Sequence, residues 1–138
     1  MEYPDCFPEN FEKNILPKGA KAQNLEVYHI LLFGNLDKVN FLSSYELDLL
    51  HLTKHNKPLD QSKPGTYSTS CFIDKKDADY YLELLGRHHP KAKLSKGRTE
   101  PSCGLSQITK EREPKRIDSH VDWWLYKNNN AHTFFEEV

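Results

Sequence analysis

From Gly65 to Leu85 a hydroxyl-rich segment, Thr66-Tyr67-Ser68-Thr69-Ser70-Cys71-Phe72-Ile73, runs without a linker into Asp74-Lys75-Lys76-Asp77-Ala78. The first half predicts a strand over 66–73. Side chains alternate along a strand, so Ser68 and Ser70 share one face while Thr69 and Cys71 share the other. The second half predicts a helix. Asp74 is suited to cap it, Asp77 complements the helix dipole, and Ala78, Tyr81, Leu82 and Leu85 recur on one face. A strand leading directly into an amphipathic helix demands a sheet with a helix on it. A row of hydroxyls before the helix suits a ligand wall, and equally an ordinary sheet strand.

Other elements fit the same plan. Leu25–Phe33 is apolar on both faces and reads as a central strand closed by Gly34-Asn35. Ser43 and Glu46 form a capping-box pattern ahead of Leu47, Leu49, Leu50 and Leu52, which predicts a helix over 44–53. Residues 54–65 read as loop. Ala92 and Leu94 alternate with lysines as a half-exposed strand. His120–Tyr126 is a strong strand, with Val121, Trp123 and Leu125 opposite to His120, Asp122, Trp124 and Tyr126. Asn128-Asn129-Asn130 turns the chain, and Thr133–Glu136 returns as a closing strand. The expectation is a single α+β domain over 1–138, a mostly antiparallel or mixed sheet of about five strands with two short helices. Residues 1–24 form an irregular arm pinned by Phe7, Phe11, Ile15 and Leu16, and 99–118 a long polar loop.

With 138 residues the chain can bury a core without disulfides. Its net charge of −1, from well-mixed signs, argues against a general nucleic-acid or membrane binder. Only residues 91–116 are locally basic, suited to a solvated loop and edge strand or to a phosphate-rich ligand. Cys6, Cys71 and Cys103 form no CxxC pair, so no zinc knuckle and no metal is expected. Glu2, Asp5 and the lack of an apolar run predict no signal peptide, the longest apolar stretch is too short to span a bilayer, and a cytoplasmic setting is expected.

His120, Asp122, Trp124 and Tyr126 offer an imidazole, a carboxylate and two aromatic surfaces for a planar base or sugar, or else a packed strand face. His29 is either a catalytic imidazole or a hydrogen-bonded core residue. His88-His89 suits a helix C-terminus. His51-Leu52-Thr53 is half of a paired His-x-Thr pattern whose second half is missing.

The order Tyr28-His29 on a first strand, Ser68-Thr69-Ser70 before an Asp-Ala helix, and Glu136-Glu137 near the end resembles a small ADP-ribosyltransferase-type fold. The resemblance implies NAD as substrate, with His29 orienting the dinucleotide. It further implies Tyr67 and Ser68 as pocket wall, and Glu136 or Glu137 stabilising positive charge on the ribose. The Ser-Thr-Ser class of that family carries Arg on the first strand and a Glu-x-Glu pair, where this chain has His29 and adjacent glutamates. The functional expectation is a nucleotide-binding domain that transfers or cleaves ADP-ribose from NAD. In it His29, Glu136 and Glu137 are catalytic, and Tyr67, Ser68, Ser70, His120, Asp122, Trp124 and Tyr126 bind ligand. The alternative is a non-enzymatic binding or inhibitory protein that meets a protein partner through the Trp123/Trp124 strand and the basic 91–116 region.

Overall fold

The computed structural model describes residues 1–138. Six strands form one antiparallel sheet: β1 (Glu26–Leu31), β2 (Thr69–Phe72), β3 (Lys93–Arg98), β4 (Gly104–Ile108), β5 (His120–Leu125) and β6 (Phe135–Glu137). Their order across the sheet is β4-β5-β2-β1-β3-β6. Three helices accompany them, α1 (Phe11–Asn14), α2 (Ser44–Leu49) and α3 (Lys75–Gly86). The α+β class holds, with one strand and one helical turn beyond expectation. No helix is long and apolar enough to cross a membrane.

Alternation along β5 sorts the core. Val121, Trp123 and Leu125 join Val27, Leu31, Cys71 and Phe135 on one face of the sheet. On the other face Ile30, Phe72 and Leu94 pack under Ala78 of α3, and Trp124 packs under the arm with Phe7, Phe11 and Tyr67. Both faces are therefore covered. The arm is pinned as its apolar residues predict, and its cover over Trp124 is what that residue's sequence reading lacked.

Local signals set the helix ends. The Ser43 hydroxyl accepts from Glu46 N, and the Glu46 carboxylate accepts from Ser43 N, completing the capping box of α2. The helix stops at Leu49 rather than 53 because His51 takes a left-handed backbone, φ 57°, which a continuing helix cannot hold. Asp74 caps α3 by accepting from Lys76 N, and Asp77 accepts from both Ser119 N and Ser119 Oγ, tying α3 to the start of β5.

Residues 99–118 are not a loop throughout. Gly104–Ile108 is the edge strand β4, with Leu105 opposite Trp124 and Gln107 opposite Asp122. Its Ser106 also pairs with Lys21 of the arm.

One join in the sheet is minimal. β1 meets β2 at the single register pair Tyr28–Phe72, whereas β1 pairs with β3 over six positions and β2 with β5 over four. Beyond that pair the two strands part, and a cleft opens between them.

Candidate functional site

The cleft is a cavity of about 970 Å³. Ile30, Leu32, Phe33, Leu42, Leu47 and Phe72 supply apolar walls, with Tyr81 and Leu85 from α3. Its polar lining includes Ser68, Ser70, Arg116, Lys54 and five histidines, His29, His55, His88, His89 and His120, and no carboxylate lines it.

Ser70 and His120 are brought together by strand register. Ser70 lies opposite Asp122 on β5, which makes His120 its diagonal neighbour on the same face. The Ser70 hydroxyl is exposed in the cleft and lies 2.8 Å from His120 Nε2. Behind it, His120 Nδ1 lies 2.6 Å from Thr109 Oγ1, which donates to Asp122 Oδ2 at 2.8 Å.

Asp122 is 1% exposed and well partnered. The Ser68 hydroxyl donates to Oδ1 at 2.6 Å, and Arg112 Nη2 to Oδ2 at 2.8 Å while its Nη1 donates to Gln107. Burial pushes the Asp122 carboxyl up, but His120, Ser68 and Arg112 outweigh it and hold it below the usual carboxylate range. His120 is moved the other way. Burial holds it below the usual histidine range against the pull of Asp122, so it is neutral at pH 7.

His29 occupies the parting of the strands. Its Nδ1 lies 2.9 Å from the Ser70 carbonyl oxygen and its Nε2 faces the Asn40 carbonyl oxygen. Burial holds it below the usual range, while both carbonyls work to raise it. A neutral imidazole has one N–H and can donate to one of the two.

The remaining expected residues lie elsewhere. Glu136 and Glu137 are exposed on edge strand β6, opposite Lys96 and Ser95, with β3 and β1 between them and the cleft. They do not line the cavity, so His29 and the late carboxylates do not share a site. Tyr67 is fully buried against Phe7 and Phe11, with its hydroxyl donating to Gln61 O. Trp124 is 0% exposed, its Nε1 donating to Pro64 O, and Tyr126 packs against Tyr3 in a tilted pair beyond the end of β5. Trp123 is also 0% exposed, so the two indoles present no docking surface. The arm and the two-sided core bury what alternation alone left open. Burial also pushes the Cys71 thiol up, away from the thiolate.

Of the residues singled out in the sequence, His29, Ser68, Ser70 and His120 line the cleft, and Asp122 lies buried behind His120. Sequence reasoning missed Thr109, Arg112 and Arg116 as individual partners. An Asp on an inward-facing strand position needs an Arg or several hydroxyls nearby, and the basic stretch after β4 was the place to look.

No group of side chains suited to hold a metal ion occurs in the structure. No family model, curated protein or solved structure matches this chain.

Proposed function

We propose that the cleft binds a nucleotide-like ligand, a planar base carrying a phosphorylated sugar. The supporting observation is its lining: aromatic and aliphatic walls, five imidazoles, Lys54 and Arg116, and no carboxylate to repel an anion. The cavity is of the size that encloses a small organic ligand. Phe33 and Tyr81, the latter backed by Phe72, offer aromatic surface for a base, and the imidazoles and Lys54 offer hydrogen-bond donors for phosphate oxygens. Arg116 already donates to Asp118, so Lys54 is the cation without an ion-pair partner at the rim.

Calorimetry with AMP, ADP-ribose, NAD and inorganic phosphate tests the reading. Binding of the nucleotides, weakened about tenfold in Lys54→Ala by loss of one charge contact, supports it. Absence of heat with all four overturns it. Transfer or cleavage of ADP-ribose is the narrower form of this reading, and its measure is NAD consumption by the pure protein. The cleft brings no glutamate to the ribose, so any such activity has to survive Glu136→Ala and Glu137→Ala.

A further inference from the structure

We propose that Ser70 is the nucleophile of an ester-cleaving site, with His120 as its general base and Thr109 linking that base to Asp122. The hydrogen bonds fix the direction of the chain. Thr109 has one hydroxyl proton, and it goes to the carboxylate, the strongest acceptor within reach at 2.8 Å. Thr109 Oγ1 must then accept from His120 Nδ1–H at 2.6 Å. That assigns the tautomer and leaves Nε2 bare, where it accepts the Ser70 hydroxyl proton at 2.8 Å. Nucleophile, base and orienting carboxylate thus stand in the roles such a triad requires, with a threonine hydroxyl inserted before the acid.

Ser68 is not a rival. Its hydroxyl proton is committed to Asp122 Oδ1 at 2.6 Å, and the residue is 1% exposed. Ser70 by contrast is exposed to the cavity and makes its one side-chain bond to His120. Arg112 holds Asp122 ionised and in place from the side away from the cleft. The apolar walls from Ile30, Leu32, Leu42, Leu47 and Leu85 match the acyl part of a carboxylic ester.

The chemistry balances with water as the only co-reactant. Ser70 Oγ attacks the ester carbonyl carbon while its proton passes to His120 Nε2. The tetrahedral alkoxide collapses, breaks the C–O bond, and the alcohol leaves with the proton from His120. Water then attacks the acyl-serine and gives a proton to His120, which returns it to Ser70 Oγ as the carboxylic acid departs. The proposal does not rest on nucleotide binding, since it concerns the reactivity of one hydroxyl.

A fluorophosphonate probe with an alkyl chain tests it, with mass spectrometry of the adduct and hydrolysis of 4-nitrophenyl butyrate as second readout. The expected result is one adduct, on Ser70, and ester turnover that falls at least about 100-fold in Ser70→Ala. His120→Ala removes a buried residue, so Thr109→Val is the second variant. It keeps the shape, breaks the link to Asp122, and is expected to slow labelling about tenfold and to move the midpoint of its pH profile. A purely structural threonine would leave that midpoint in place. Folded wild-type protein that takes no adduct on Ser70 between about pH 7 and 9 overturns the proposal, whatever calorimetry with nucleotides shows.

Discussion

The His29 imidazole stands where a strand hydrogen bond would otherwise reach Ser70. Nδ1 lies 2.9 Å from the Ser70 carbonyl oxygen, just past the last register pair between β1 and β2. One side chain therefore takes the place of a strand hydrogen bond and wedges the strands apart, and the cleft is the space this leaves. The same ring faces the Asn40 carbonyl of the 3-10 turn Lys38–Phe41, so its single N–H serves either the sheet or the turn.

Acid is expected to loosen the fold before any carboxylate titrates. Burial holds His29 and His120 below the usual histidine value of 6.5. The unfolded chain therefore takes up these protons at higher pH than the folded one. The stability of the neutral imidazoles is complete above about pH 6.5 and is lost as pH falls towards the folded-state values. Urea melts at pH 7.5 and 5.5 should show a lower midpoint in acid, and a smaller difference in His29→Gln. Equal midpoints in the wild type would contradict this.

Arg112→Met is expected to cost about 3–5 kcal/mol, because it strands the Asp122 carboxylate in the interior without its cation. Arg112→Lys should recover little of it. An ammonium is a point charge, and it cannot reproduce the fork that spans Asp122 and Gln107. Recovery of most of the stability by lysine would show that charge alone matters there.

Trp123→Ala and Trp124→Ala are expected to cost alike, on the order of 3–5 kcal/mol each. Both indoles are fully buried, one in the main core and one beneath the arm. Trp124→Phe loses the Nε1 bond to Pro64 O, about 1 kcal/mol, together with part of the buried ring, and should cost less than Trp124→Ala. A mild Trp124→Ala would mean that the arm packs loosely in solution.

Two glycine substitutions should differ in sign. A methyl on Gly97 of β3 would overlap the Phe134 carbonyl and the Phe135 ring, so Gly97→Ala is expected to destabilise by roughly 1–3 kcal/mol. Nothing lies within 4 Å of a methyl on Gly86 at the end of α3, and Gly86→Ala should stabilise by about 0.5–1 kcal/mol. Thermal melts of both variants decide the pair.

The residues that were legible in sequence carry strong local signals. β1 and β5 are dense in β-branched and aromatic residues, and Ser43–Glu46 and Asp74 announce helix starts through side chains that bond their own backbone. β4 was not legible, because only Leu105 and Ile108 are apolar in it and its partner β5 supplies the order. Of the site, the strand faces put Ser70, His120 and Asp122 on one side. Thr109 lies in a 3-10 turn and reaches them only through the β4–β5 pairing, a long-range contact that leaves no periodic trace. Glu136 and Glu137 misled for the converse reason. Being near the end of the chain says nothing of which edge the last strand joins.

The lone Tyr28–Phe72 pair also divides the sheet into two three-stranded ribbons, β4-β5-β2 and β1-β3-β6. Each ribbon is stitched internally over several positions, but the seam between them is one residue pair wide, backed by α3. Amide protons near this seam are expected to exchange with solvent through small openings, while those in the middle of each ribbon wait for larger ones. The ribbons would then behave as two cooperative units hinged at a line. The cleft lies along that line, so the free energy needed to admit a ligand is drawn from the weakest joint in the sheet and leaves the strand pairs within each ribbon intact.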